Sequence, residues 1–167
     1  MIRDTDRGLV VIRGAEIDDM AAVFHLGEEL FTSQEFPILY RAWDAYEVTE
    51  FFNMDPEYCL VAEGGEGLLG FILGTTFEKE GSAWKYGYVA RMGVREGYRR
   101  PHLARRLYFE LEKRMAREGV RIMIVDTEAD NAEALTLLHV MGFTGLIMAG
   151  ATMSKEEPMG VMQGSTD

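Results

Sequence analysis

Apolar and polar positions along the chain follow two periods, and each change of period marks an element. Leu9-Val10-Val11-Ile12-Arg13 is a short apolar run closed by Gly14, which predicts a strand. From Ile17 to Phe31 the period becomes helical, with Met20, Val23, Phe24 and Leu30 on one side. Asp18 and Asp19 sit at the end where the helix dipole favours negative charge. Pro37 opens a second predicted helix reaching about Phe52, with Trp43, Tyr46 and Phe51 as its apolar face. Tyr58 to Ala62 and Gly67 to Phe77 read as strands joined by the hairpin signal Glu63-Gly64-Gly65-Glu66. A third strand, Trp84 to Val94, is rich in aromatic and β-branched residues, and a loop follows to Pro101. Leu103, Leu107, Leu111 and Met115, at steps of four, predict a helix ending at Gly119. Val120 to Asp126 is a continuous apolar run, the pattern of a strand buried on both faces. Asp130 or Asn131 caps a last helix that Gly142 ends, with Glu133 placed to complete a capping box from Asp130. Phe143 to Met148 and Ala151 to Met153 are weaker strands. This order predicts a mixed α/β sheet with helices on its faces. With no repeat or long linker, residues 1–160 read as one domain and 161–167 as a frayed tail.

Composition agrees. The 167 residues are 47% hydrophobic and 27% charged, which fits a globular domain large enough to fold without disulfide or metal staples. The chain lacks the roughly 20 consecutive apolar residues of a membrane span, and its polar first residues carry no signal-peptide core. The single cysteine, Cys59, excludes an internal disulfide and a Cys-rich zinc site, and reads as an inert core thiol. A reducing cytoplasm and no resident metal are the expectations.

Charge is unevenly spread. The net charge of −11 argues against general nucleic-acid affinity, and no nucleic-acid or membrane partner is expected. Yet residues 91–121 hold 10 basic and 4 acidic side chains, whereas residues 1–80 hold 5 basic and 17 acidic. An anionic ligand visiting the basic segment and a solvated helix face both explain that concentration, and an acidic remainder favours a cationic partner.

The most informative stretch runs from strand through basic loop into helix: Met92-Gly93-Val94, then Arg99 to Ala104. The first amides of a helix have no internal acceptors and carry the positive end of its dipole, so arginines feeding such an end make a ready pyrophosphate site. Arg99-Arg100-Pro101-His102-Leu103-Ala104 resembles the acyl-CoA-binding motif of the GNAT superfamily of N-acetyltransferases, Arg/Gln-x-x-Gly-x-Gly/Ala. Asn131-Ala132-Glu133-Ala134, followed by Leu138 and Met141-Gly142-Phe143, is similar to the second signature of that superfamily. Val11-Ile12-Arg13-Gly14-Ala15 with Asp19 looks like its first strand and helix. The resemblance is strong over residues 87–143, extends to 9–86 and is weak after 144.

That resemblance implies a mostly antiparallel central sheet with splayed middle strands and helices on both faces. It implies acetyl-CoA as cosubstrate, an amine acceptor, and a homodimer as a family-level expectation. The backbone of Met92, Gly93 and Val94 would pair with the pantetheine arm. Arg99, Arg100, Pro101, His102, Leu103 and Ala104 would wrap the pyrophosphate, and Asn131 would hydrogen-bond the pantetheine or serve as a plain helix cap.

The chain departs from the pattern in three places. His102 replaces the middle glycine and Pro101 removes an amide, which reads as a modified cradle in which His102 donates to phosphate or stays a surface residue. Leu138 stands where many relatives place a thiol-protonating tyrosine, and Tyr108 and His139 are weak substitutes. Residues 84–94 contain no carboxylate to act as base. By the period of two, Tyr86, Tyr88, Ala90 and Met92 share a face. Tyr88 then reads as a relay or site wall or as packing, and Asp126 and Glu128 are the nearest acids. The aromatics Phe31, Phe36, Tyr40, Trp43, Tyr46, Phe51 and Phe52, interleaved with Glu35, Asp44, Glu47 and Glu50, read as core or as a wall attracting a cationic amine. The sequence thus points to acetyl transfer to a primary amine by direct attack in a ternary complex. An acyl-CoA-binding regulatory domain without turnover is the alternative, motivated by Leu138 and the carboxylate-free strand.

Overall fold

The glycine pair after Glu63 becomes a tight hairpin. Strand β2 (Cys59–Gly64) pairs antiparallel with β3 (Gly67–Glu78), Gly64 opposite Gly67, and Gly67 takes a positive φ of 107° that a side chain would resist. The computed structural model describes residues 8–32, 43–81, 83–98, 103–126, 132–143, 145–146 and 152–156. Its other elements are β1 (Val11–Gly14), α1 (Met20–Leu30), α2 (Ala45–Met54), β4 (Lys85–Val94), α3 (Leu103–Arg117), β5 (Val120–Asp126), α4 (Ala132–Val140), β6 (Gly145–Leu146) and β7 (Thr152–Glu156). Short 3₁₀ turns at Ile17–Asp19 and Pro56–Tyr58 lead into α1 and β2. The strands lie in the order β1-β2-β3-β4-β5-β7-β6. Four of the neighbouring pairs are antiparallel, and β4 with β5 is parallel. This is the mixed, mostly antiparallel sheet expected.

The contacts divide the chain into two compact units, residues 1–73 with 91–111, and 74–90 with 112–167. In the first, α1 buries Met20, Val23, Leu26 and Leu30 against Phe31, Trp43, Val48, Val61 and Phe71. Trp43 stacks on Phe71 with 5.5 Å between ring centroids, and its indole N–H donates to the Phe24 carbonyl at 3.0 Å. The indole occupies the space that a Cβ at Gly27 would need, so the helix backbone and the ring touch directly. On β3 the adjacent positions face opposite ways. A Cβ at Gly70 would meet Leu107 of α3, while Phe71 packs on Phe31 and Trp43, so helices cover both faces of that strand.

Helix α2 is capped by the Asp44 side chain, which accepts from the Glu47 amide at 2.8 Å, and Trp43 and Asp44 are not helical, so no unbroken helix runs through them; the expected start at Pro37 lies outside the described residues. One expectation changes: Tyr46 is 86% exposed, and Val48 is the buried residue of that helix.

In the second unit the first half of β4 pairs with β5, and Gly87 leaves room for Met115 and Met123, a Cβ there falling 2.6 and 2.7 Å from their sulfurs. Tyr86 stacks on Phe77, and the Arg121 guanidinium lies 5.1 Å from the Trp84 ring centroid. The four apolar positions on α3 are all buried. Along β5 only Val120, Met123 and Val125 are fully buried, whereas Ile122 and Ile124 are half-buried, so the expected burial on both faces holds for one.

An ion-pair cluster fixes the start of α1. The Arg13 guanidinium grips Asp19 through two hydrogen bonds of 2.7 and 3.0 Å and reaches Glu63 at 2.9 Å. Asp19 also accepts from the Glu16 amide at 2.7 Å, closing a capping box. The Arg13 bond holds the Asp19 carboxyl below its ordinary value, against the opposing effect of burial. A folded-state pKa below the unfolded value of about 3.9 means the stabilisation is complete above that pH and fades as pH falls through the folded value. Melting temperatures between pH 2 and 6 are therefore expected to drop on acidification, and Asp19→Asn, which starts lower, is expected to show a flatter acid limb.

Candidate active site

The parallel register of β4 and β5 runs from Lys85 opposite Val120 to Val89 opposite Val125, and then stops. Strand β4 runs on through Ala90, Arg91, Met92 and Gly93 to Val94, past its last β5 partner. Beyond Val125 only Asp126 of β5 is described, and residues 127–131 lie outside the described residues. The opposite edge stays tied to β3, as the Arg95 amide donates to the Leu69 carbonyl at 2.7 Å. A Cβ at Gly70 would come within 3.0 Å of the Gly93 carbonyl, so this approach of the two strands requires glycine. The predicted sharing of one face by Tyr86, Tyr88, Ala90 and Met92 does not hold. Val89 and Ala90 are both buried, which breaks the alternation where the β5 pairing ends.

Helix α3 begins at Leu103, and its first-turn amides have no partner within the helix. Leu103 is buried and Ala104 half-buried; Arg106 donates to the Val10 carbonyl at 3.2 Å. Arg99, Arg100, Pro101, His102, Glu128 and Asn131 lie outside the described residues, as do Phe36 and Tyr40.

Across β4 and β5, the Tyr88 hydroxyl donates to Asp126 Oδ2 at 2.8 Å. Tyr88 stands opposite Ile124, and Asp126 is the last residue of β5, just past the final parallel pair. Two residues named separately from the sequence thus form one hydrogen-bonded couple across the parallel strands.

In the other unit a second polar couple forms that the sequence did not disclose. Arg91 Nη2 donates to Glu47 Oε1 at 2.7 Å, with the two side chains 18% and 21% exposed. The partners are 44 residues apart, and the one available signal was a charged residue set in the apolar run of β4. Burial raises the Glu47 carboxyl above its ordinary value, against the pull of Arg91 and with help from Asp44 and Glu50. Glu47 Oε2 is buried and has no hydrogen-bond partner among the described residues.

Leu138 is buried in α4, His139 is exposed, and Tyr108 is buried beside Phe109. Phe31 and Trp43 belong to the core, Phe51 and Phe52 pack partly against it, and only the exposed Tyr46 among the described members of that set faces water. Among the described residues no helix is long and apolar enough to cross a membrane.

The sequence profile described as the acetyltransferase (GNAT) family matches residues 24–143. A comparison with curated proteins finds no match. Among solved structures, the chain is similar to a subunit of the NatC complex bound to Gag peptide and CoA, at 19% identity and a TM-score of 0.75, covering 89% of this chain and 99% of that one. It is equally similar to the PaiA N-acetyltransferase of Thermoplasma acidophilum in complex with coenzyme A, at 15% identity, a TM-score of 0.75 and the same two coverages. The ribosomal-protein-alanine N-acetyltransferase of Brucella melitensis is 21% identical with a TM-score of 0.70, over 88% of this chain and 99% of that one.

Proposed function

The chain belongs to the GNAT acetyltransferase family, and on that premise we propose that it transfers an acetyl group from acetyl-CoA to a primary amine by direct attack in a ternary complex. The observation that carries this reading is the family match over residues 24–143, within which β4 runs through Met92, Gly93 and Val94 and α3 opens at Leu103 after the basic loop. A pantetheine arm carries its own amides and can pair with strand backbone. The backbone of Met92, Gly93 and Val94 is the segment that would hold it. The amino end of α3, with Leu103 and Ala104 in its first turn and Arg99, Arg100, Pro101 and His102 before it, would take the pyrophosphate. Asn131, just ahead of α4, would reach the pantetheine from the other side.

The thioester supplies an activated acetyl carbon. The N–C bond forms as the C–S bond breaks, sulfur leaves with the electron pair and picks up a proton, and the nitrogen gives up its own. The amide of Val94 or a neighbour would stabilise the negative charge that develops on the carbonyl oxygen. Tyr88, oriented by its 2.8 Å bond to Asp126, would relay the nitrogen's proton. Glu128, two residues beyond Asp126, is the second carboxylate near that end of β5. The neighbours solved with CoA, or with a peptide and CoA, support the cosubstrate and an amine-bearing acceptor as classes. Alignment of the two reactants supplies much of the acceleration.

Thiol release from acetyl-CoA with polyamines, amino acids, aminoglycosides and peptide N-termini, with products weighed by mass spectrometry, tests the reading. The expected result is release with at least one amine class and a product 42 mass units (the mass of an added acetyl group, to the nearest unit) heavier than the acceptor, on the order of one acetyl per turnover. Tight CoA binding with no release would instead identify a binding module.

A further inference from the structure

Arg91 satisfies only one of the two Glu47 oxygens. The other, Oε2, is buried with no donor among the described residues. A buried carboxylate oxygen without a donor is costly, so a cation that completes the pair is bound with full charge-assisted strength. We propose that Glu47 is the anionic dock for the acceptor's ammonium group and that Arg91 is the positioning residue that holds the carboxylate for it; this rests on the acetyl-transfer reading above.

Three further observations agree. The Glu47 side chain keeps 21% of its surface exposed, so the carboxylate lies just under the surface. The terminal torsion of Glu is broad, and a small rotation presents Oε2 while Oε1 stays on Arg91. Arg91 stands on β4 immediately before Met92 to Val94. The local charge also fits. Arg91 neutralises Glu47, but Asp44 and Glu50 on the same helix leave the neighbourhood negative. From α1, His25 and Glu28 pair with each other and Glu29 pairs with Arg95, so neither a cation nor an acid from that helix is committed to Glu47. The inferred acceptor class is an amine that arrives protonated.

Two probes of nearly equal size separate charge from shape: ethylamine, an ammonium at neutral pH, and 2,2,2-trifluoroethylamine, which is largely uncharged there. With wild type and Glu47→Gln, thiol release is measured over a range of each amine and of pH, with CoA binding followed by calorimetry. Glu47→Gln keeps the shape and a contact to Arg91 while losing the charge. It is expected to raise KM for ethylamine about 10- to 100-fold while leaving trifluoroethylamine and CoA binding within about twofold. In wild type, KM for ethylamine is expected to climb as pH falls through the raised Glu47 value, a trend absent from the variant. An equal effect on both amines, or no effect on either, overturns the dock alone and leaves a structural strut. A wild type that binds CoA but releases thiol with no amine overturns the acetyl-transfer reading and the dock together.

Discussion

Changing Arg99 and Arg100 together to alanine is expected to weaken CoA binding by about 10²- to 10⁴-fold, while a pantetheine analogue without the nucleotide diphosphate binds as before. Each arginine removed costs a charge-assisted hydrogen bond of roughly 1.5–3 kcal/mol, and every 1.4 kcal/mol is a factor of ten. The basis is local. Residues 91–121 carry 10 basic side chains in a chain of net charge −11, and α3 opens at Leu103, three residues after Arg100 in the sequence, with the positive end of its dipole at that start. Calorimetry with both ligands reads the result directly. Equal weakening of the two would remove the diphosphate from that helix end.

The second large effect belongs to the Tyr88–Asp126 couple across the parallel strands. Tyr88→Phe deletes the hydroxyl that bonds Asp126 and is expected to lower kcat by about 10²-fold, the low end of general acid–base contributions. Asp126→Asn keeps an acceptor for the hydroxyl and is expected to cost less. The double variant should be no slower than Tyr88→Phe, since both changes cut one path. Acetyl-CoA binding is expected to stay within twofold in all three, which separates proton transfer from ligand retention. A Tyr88→Phe enzyme at wild-type speed would return that tyrosine to packing.

Much of this architecture was legible because its strongest signals are periodic. The Leu103, Leu107, Leu111, Met115 stripe became the buried face of α3, and the double glycine after Glu63 became the β2–β3 hairpin. Boundaries were legible only where a cap or turn stood at them. Asp44 marks the start of α2 at Ala45 by capping the Glu47 amide, and the expected start at Pro37 lies outside the described residues. Tyr46, expected on the apolar face, is exposed, and Val48 takes the buried place.

At the site, the parallel register of β4 with β5 and the consecutive burial of Val89 and Ala90 leave no local pattern in the sequence. Tyr88 and Asp126 were each visible as residue types, but their bond depends on the parallel register. Arg91 with Glu47 was not visible as a pair at all, because a contact across 44 residues leaves no spacing to read.

The chain has two tryptophans, and the packing described for Trp43 and Trp84 assigns one to each compact unit. Trp43 emits from an indole pressed between aromatic rings and the α1 backbone, and Trp84 from one lying beneath a guanidinium. Intrinsic fluorescence therefore carries two separable signals. Replacing either indole with phenylalanine leaves a spectroscopic reporter confined to the other half, so melting of the halves can be timed independently in the same polypeptide.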